Sequence, residues 1–338
     1  MMKELEAFTL GKKIGQPAAN EDSLVVMPGR GYAVIDGVTA RNETRYGTML
    51  PGQFASRTVQ RATELYILAQ GDQTRPNAQF SGPGHFVSWL TAAVHDAYVA
   101  HGRLGDVTGD WRLRGSCTVM AALVLGDELQ VIGVGDSGAR INGTDLFQVL
   151  KPLDDVTAIL RREAWQYFVE RGATISESEV NAGLLTWQGT RNQPPGATSD
   201  PAVIDEIERR ALSAVRAHLP DAPQAEFVKL IQHGISNGQG DFQNVTDPYF
   251  AYGGIDGFPV PGRHVETRTY KLADVETIEL FSDGYFKPGA GFGVASWEAA
   301  HAEVEAEDPH KIGRYMSTKG TTATMLTDDR TYLGVRLK

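Results

Sequence analysis

Two carboxylates end apolar runs in the same way. Tyr32-Ala33-Val34-Ile35 runs into Asp36-Gly37, and Ile278-Glu279-Leu280-Phe281-Ser282 runs into Asp283-Gly284. An apolar run of strand length that stops at an acid followed by glycine puts the acid at a strand end, where backbone can approach a ligand closely. Asn20-Glu21-Asp22 stands just before another apolar run, and Asp328-Asp329 before the last one. Acidic strand ends spread over the whole chain predict one hard-cation site assembled by the fold, because carboxylate oxygens are what magnesium and manganese prefer. Each has a plainer reading when taken singly. Asp36-Gly37 is ordinary turn chemistry, and Glu21 and Asp22 suit a solvated turn. The repetition of the pattern favours the cation site.

The elements that must position these acids follow from periodicity. Strands are expected at Glu6 to Ile14, Ser23 to Met27 and Tyr32 to Ile35, with Pro28-Gly29-Arg30-Gly31 as the reversal between the last two. Ala55, Val59, Ala62, Tyr66 and Ala69 fall on one helical face, as do Phe86, Leu90, Ala93 and Ala97, so both stripes predict helices packed on a core. The polar stretch Gly71 to Gly84 between them reads as an exposed loop. Strands Ser116 to Leu125, Leu129 to Val134, Ala139 to Asn142 and Leu146 to Leu150 are joined by glycine-containing turns, the mark of an antiparallel meander. Helices are expected over Asp155 to Arg171, Pro201 to Leu219 and Ala225 to Ile235, with a loop from Thr190 to Pro201. Gly234 to Gly262 lacks periodicity and reads as a functional flap. Strands return at Glu266 to Lys271, Thr277 to Ser282, Thr322 to Thr327 and Thr331 to Leu337, with a helix opened by Ser296. Strands at both ends with blocks of helix between them predict an α+β fold of two antiparallel sheets sharing a core and covered outside by helices.

Composition sets the class. The 338 residues are 41% hydrophobic, ample for a soluble core, and no run approaches membrane-spanning length. The start, Met1-Met2-Lys3-Glu4-Leu5-Glu6, lacks the basic and apolar regions of a secretory signal, so a cytoplasmic location is expected. Cys117 is the single cysteine; it can form no internal disulfide and is expected to be buried and inert. A formal charge of −10 with scattered basic residues argues against nucleic-acid binding.

The ordered set Asn20-Glu21-Asp22, Tyr32 to Gly37, Gly115-Ser116-Cys117-Thr118, Val134-Gly135-Asp136-Ser137-Gly138-Ala139, Phe281-Ser282-Asp283-Gly284 and Asp328-Asp329-Arg330-Thr331 resembles the metal-dependent serine/threonine protein phosphatases of type 2C. The resemblance runs from about Gly11 to the C-terminus and fails between Pro152 and Thr269. It implies a single domain over 1–338, a four-layer αββα sandwich with a divergent helical and flap insertion at about 152–265, and two manganese or magnesium ions at one edge of the sheets. Carried onto this sequence, it makes Asp36 the bridging ligand, with Glu21 and the Gly37 carbonyl on one ion and Asp283 and Asp328 on the other. Asp328 is preferred over Asp329 because the motif places its ligand three residues before Thr331. Asp22 would orient metal-bound water. Two hard cations roughly 3.5–4 Å apart can acidify a bridging water and neutralise phosphoryl charge, so acids are the fitting ligand set.

Departures from the pattern matter as much. Asp136 can help hold a third ion with an acid four residues beyond Asp283, but that position is Lys287, whose charge opposes another cation. Asp136 is then left as a hydrogen-bond acceptor near the cluster. Val38-Thr39-Ala40 follows the Asp36-Gly37 pair where the family carries His-Gly or Met-Gly-Gly, so no histidine stands ready to protonate a leaving alkoxide. Pro17 occupies the place of the arginine that grips phosphate; Lys12 or Lys13 could substitute, although a solvated strand end is the simpler reading of both. Gly133-Val134-Gly135-Asp136-Ser137-Gly138 matches a dinucleotide fingerprint, but Gly143 interrupts any helix that should follow it. Gly289-Ala290-Gly291-Phe292-Gly293 reads as flexible cover. The expected activity is hydrolysis of phosphoserine or phosphothreonine on a partner protein by metal-activated water. The alternative is a regulatory or binding protein that keeps the sandwich with weak or no catalysis.

Overall fold

In the computed structural model, which describes residues 2–194 and 200–338, the chain opens with strands β1 (Glu4–Leu10), β2 (Ser23–Met27) and β3 (Gly31–Gly37). Helices α1 (Pro51–Ala69), α2 (Pro83–Ala100) and the short α3 (Leu104–Gly109) follow, then strands β4 (Cys117–Leu125), β5 (Glu128–Val134), β6 (Gly138–Ile141) and β7 (Asp145–Gln148). Helices α4 (Pro152–Glu170), α5 (Ile175–Gln188), α6 (Pro201–His218) and α7 (Gln224–Gly238) come next. The chain closes with β8 (Glu266–Lys271), β9 (Thr277–Phe281), α8 (Val294–Glu307) and β10 (Arg330–Arg336). Two compact units result: Met1–Leu150 with Tyr252–Glu303 and Thr324–Lys338, and Lys151–Ala251 with Val304–Ala323.

The first unit contains two five-stranded antiparallel sheets, ordered β1-β10-β9-β6-β7 and β2-β3-β4-β5-β8. β3 shows why its run is apolar at successive positions. Tyr32 and Val34 enter the core between the sheets with Met120, Ala122, Ile278, Leu280 and Leu333, while Ala33 and Ile35 face the opposite way. There they meet the predicted α1 stripe, including Val59, Ala62 and Tyr66, and Phe86 and Leu90 of α2. A strand buried on both faces needs apolar side chains at odd and even positions alike. Each fully buried Val, Leu or Ile among them contributes about 1.5–3 kcal/mol by leaving water. On the other sheet Trp297 of α8 is fully buried, with ring centroids 4.6 Å from Phe281 and 5.1 Å from Tyr332. The αββα layering expected from the sequence is therefore present in this unit.

Several boundaries differ from expectation. β1 ends at Leu10 and not at Ile14, because Gly11 brings the backbone against Asn20; a Cβ at Gly11 would lie 3.0 Å from the Asn20 Cβ. Thr322 to Thr327 forms no strand; it makes an isolated bridge between Met325 and Lys13, flanked by backbone bonds from Ile14 to the Thr324 carbonyl and from Leu326 to the Lys12 carbonyl. β7 stops at Gln148, leaving Leu150 exposed. α5 had no counterpart in the sequence reading, since its apolar positions are sparse. Its start does carry a capping box in which Thr174 and Glu177 satisfy each other's backbone N–H groups. The supposed flap is partly ordered: α7 continues to Gly238 through a break at Gly234, and a 3-10 turn follows at Gln239–Phe242. The loop expected from Thr190 is non-helical to Pro194, and its remainder to 199 lies outside the described residues. After Gly133–Gly138 the chain enters strand β6, so the dinucleotide fingerprint has no helix to complete it. The Gly289–Gly293 stretch is pinned and not flexible cover. Arg140 donates to the Gly289 and Gly291 carbonyls at 2.5 and 2.8 Å, and the Gly293 N–H donates to the Tyr332 hydroxyl at 3.0 Å.

The second unit is helical. Its central cation is Arg161 of α4, fully buried, paired with Glu179 of α5 at 2.7 Å and donating to the His310 carbonyl at 2.7 Å. α5 and α7 meet where the Gly189 and Gly234 backbones touch. A Cβ on either would fall 2.3 Å from main-chain atoms, and both residues have positive φ, so glycine is required there.

Candidate metal centre

The acid-bearing strand ends converge in the first unit. Asp36 sits on β3 opposite Thr118, one residue before Gly37, which pairs with Cys117 at the start of β4. Asp283 follows β9 by two residues, and Asp328 and Asp329 precede β10, which is hydrogen-bonded to β9. The Ser282 N–H donates to the Thr331 carbonyl, and the Thr331 N–H returns a bond to the Ser282 hydroxyl at 2.8 Å. Asp136 lies between β5 and β6 and is buried. Glu21 and Asp22 stand just before β2 and are buried as well.

Close backbone contact explains the glycines. A Cβ on Gly37 would meet the Glu21 carbonyl at 2.5 Å and the Gly52 carbonyl at 2.7 Å; one on Gly52 would lie 2.6 Å from the Glu21 carboxylate. The start of α1 is thereby laid against the end of β3 with Glu21 between them. Ser56 of α1 donates to the Glu21 carbonyl at 2.5 Å, and Gln53 donates to the Ala18 and Asn20 carbonyls. Gly284 is fitted in the same way, for a Cβ there would stand 2.2 Å from the Asp329 carbonyl.

Asp22 is fixed by a relay of side chains. The Asn20 amide donates to Thr9, Thr9 shares a 2.8 Å bond with Thr331, and the Thr331 hydroxyl donates to Asp22 Oδ2 at 2.8 Å. Because Thr331 gives its proton to Asp22, Thr9 is the donor in the bond before it. Asp22 Oδ1 is buried and accepts no well-formed hydrogen bond. Burial, and then the nearby Asp329, push the Asp22 carboxyl up to about 8, against the opposing pull of Thr331, Lys12 and Ser282.

Asp36 and Asp283 act directly on each other, and both are held well above the ordinary carboxylate range. Withdrawal from water is the leading cause for both. For Asp36 the fields of Asp22, Asp328 and Asp136 add to it, and for Asp283 those of Asp36, Asp136 and Asp328. Carboxylates this close ionise together only if a proton or a cation lies among them.

The sequence reading missed Lys12. Far from a solvated strand end, it is 3% exposed, with Nζ 3.0 Å from Glu21 Oε2, 3.1 Å from Asp328 Oδ1, 2.8 Å from Asp329 Oδ2 and 3.0 Å from the Thr39 hydroxyl. Its backbone N–H also donates to Asp329 Oδ1 at 2.6 Å. Burial alone would lower the ammonium's pKa, but Asp328, Glu21 and Asp329 together hold it well above the usual lysine value. No signal local to Gly11-Lys12-Lys13 marked this. The need of buried carboxylates for a counter-charge could have raised the question.

The donor set fits a divalent cation in part. Among the described residues, no group of three or more His, Cys, Asp or Glu side chains is placed so that it could hold a metal ion as it stands. Asp36, Asp136 and Asp283 lie in one another's fields, and the Gly37 backbone is next to Asp36 in sequence. Glu21 and Asp328, by contrast, are engaged by Lys12. The sequence-predicted residues Glu21, Asp22, Asp36, Asp136, Asp283 and Asp328 thus lie in one electrostatic neighbourhood, with Asp329 and Lys12 added to them. Lys287 is ion-paired with Glu303 of α8. His85 is hydrogen-bonded to the Tyr66 hydroxyl at 2.9 Å, and His310 packs on Trp165 at 4.9 Å, structural roles in both cases. Cys117 is buried as expected, and burial raises its thiol pKa well above 9.

No protein-family model matches the chain, and no curated protein matches it. Among solved structures the chain is similar to the Mycobacterium tuberculosis serine/threonine phosphatase PstP/Ppp, at 17% identity over 100% of both chains with a TM-score of 0.41. It is similar to the Staphylococcus aureus serine/threonine phosphatase Stp1 at 14% identity, over 100% of this chain and 97% of the other, TM-score 0.41. A PstP catalytic domain in complex with two manganese ions is similar at 16% identity, over 98% and 97%, TM-score 0.41. Among the described residues, no helix is long and apolar enough to cross a membrane.

Proposed function

We propose that this protein is a metal-dependent phosphomonoester hydrolase whose substrate is phosphoserine or phosphothreonine on a partner protein. The observation that carries the reading is the meeting of Asp22, Asp36, Asp136, Asp283 and Asp328, from distant strand ends, in one neighbourhood, where burial and then neighbouring acids raise the carboxyl pKa of Asp22, Asp36 and Asp283. Asp36, Asp283 and Asp136, with the Gly37 carbonyl, are the residues that would hold manganese or magnesium. A divalent cation bound there supplies Lewis-acid activation of water and neutralises phosphoryl oxygens. Asp22 is set to accept a proton at Oδ1, because Thr331 fixes its other oxygen. Cys117, buried with its thiol held protonated, is no nucleophile, so direct attack by water fits this site better than a covalent route. A reduced, buried cysteine also suits a cytoplasmic setting.

The test is hydrolysis of an aryl phosphate and of a phosphothreonine peptide with added manganese, comparing the native chain with Asp36→Asn. Manganese-dependent turnover that Asp36→Asn abolishes supports the reading. Turnover of neither substrate with metal bound sinks it. A second reading, a regulatory protein with the same sandwich, draws on one observation: Lys12 occupies carboxylates that an active metal centre would use. Metal binding without turnover is its expected signature.

A further inference from the structure

Lys12 is more than a charge near the acids. Its ammonium is surrounded by four oxygens at 2.8–3.1 Å, from Glu21, Asp328, Asp329 and Thr39, and the residue is clasped to Asp329 from both its backbone and its side chain. An ammonium has three protons to donate, so this shell exhausts them. Asp328 Oδ1 is saturated in turn, accepting the Lys12 ammonium at 3.1 Å and the Asp329 N–H at 2.9 Å. Glu21 and Asp328 are the carboxylates that the sequence resemblance distributes over two ions. A metal ion reaching for those same oxygens would stand a few ångströms from a fixed positive charge, a strongly unfavourable arrangement. Asp36, Asp136 and Asp283 lie in one another's fields outside this shell.

We propose that Lys12 is a built-in cation standing in for one of two divalent ions, so that Glu21 and Asp328 hold no metal and the centre takes a single divalent ion. The proposal rests on the metal-dependent reading above and deepens it. Positive charge on the Glu21–Asp328 side is supplied permanently by the chain, and only the Asp36–Asp283 side exchanges with solution.

The test uses the full chain, stripped with a chelator and equilibrated with Mn²⁺ alone. Metal content is measured by elemental analysis after dialysis, and electron paramagnetic resonance distinguishes an isolated ion from a coupled pair. One Mn²⁺ per chain with the six-line spectrum of an isolated ion is expected for the native protein. In Lys12→Met a second ion should enter, giving two per chain and a coupled signal. That variant should also melt below the native protein in chelator, and saturating Mn²⁺ should close the gap, because the ion replaces the lost ammonium. Two coupled ions in the native protein overturn the inference while leaving the metal-dependent reading intact. No bound ion and no change in melting with Mn²⁺ overturn both. A Lys12→Met chain that binds one ion only, or that stays unfolded at saturating Mn²⁺, also counts against the substitution of metal by ammonium. Lys12→Arg, which keeps the charge, should retain a stoichiometry of one.

Discussion

Asp283→Asn should change the stability of this protein in opposite directions with and without metal. In the metal-free protein Asp283 lies in the fields of Asp36, Asp136 and Asp328. Two unit charges at about 4 Å repel by roughly 4 kcal/mol at an effective dielectric of about 20. That value is a ceiling here. The raised carboxyl pKa values relieve part of it by favouring protonation, and both side chains are only half-buried, so water screens more. Asparagine keeps the shape, removes one of the mutually repelling charges and can donate an amide proton toward Asp36. A net gain of about 1–2 kcal/mol is therefore expected in chelator, given the ceiling and the screening. Urea denaturation near pH 8 reads it as a raised midpoint with unchanged slope. In Mn²⁺ at about a hundred times its dissociation constant, the native chain should gain roughly 2.7 kcal/mol by mass action. Asp283→Asn should gain little or nothing. The order of stability then reverses between the two conditions. A variant less stable than native in chelator, or one that gains as much from Mn²⁺ as the native chain does, would refute the placement of Asp283 in a shared acid cluster.

Other outcomes follow from the packing around the centre. Glu279 takes two bonds from Arg140 at 2.6 and 2.7 Å and one each from Trp297 and Tyr332, all buried, so Glu279→Gln should destabilise by roughly 3–5 kcal/mol in urea titration. Replacing both partners, Arg140→Met with Glu279→Leu, should be milder than the single change. Gly138→Ala places a Cβ 2.2 Å from the Phe281 ring, and the overpacking should lower stability by about 1–3 kcal/mol, a loss that Phe281→Leu in the same chain partly restores. Cys117 should resist iodoacetamide at pH 8 in the folded protein and react fully in denaturant, as mass spectrometry will show; rapid labelling of the native state would contradict its burial.

The chain's own sequence determined the sandwich and the candidate acids, because both are written in short-range patterns. β3 and β9 are apolar runs closed by an acid and a glycine, and α1 and α2 carry stripes of helical period, so each could be read from a window of a dozen residues. α5 escaped because its burial comes from neighbouring helices and its apolar stripe is weak; only the Thr174–Glu177 cap announced it. The strand expected at Thr322 to Thr327 shrinks to the short pairing around Met325 and Lys13, because alternation along so brief a contact builds no ladder.

Charge pairing was decided by tertiary structure alone. Glu21, Asp328 and Asp329 gain their common partner only because the chain turns at Gly11 and carries Lys12 under β10's leading loop, with the Lys12 carbonyl accepting from Leu326. Residues separated by more than three hundred positions can neutralise one another in a folded protein, and no local pattern records which cation will be chosen. The acids were legible because strand ends expose them in sequence, whereas their counter-ion was not, because electrostatic partners are selected by distance in space.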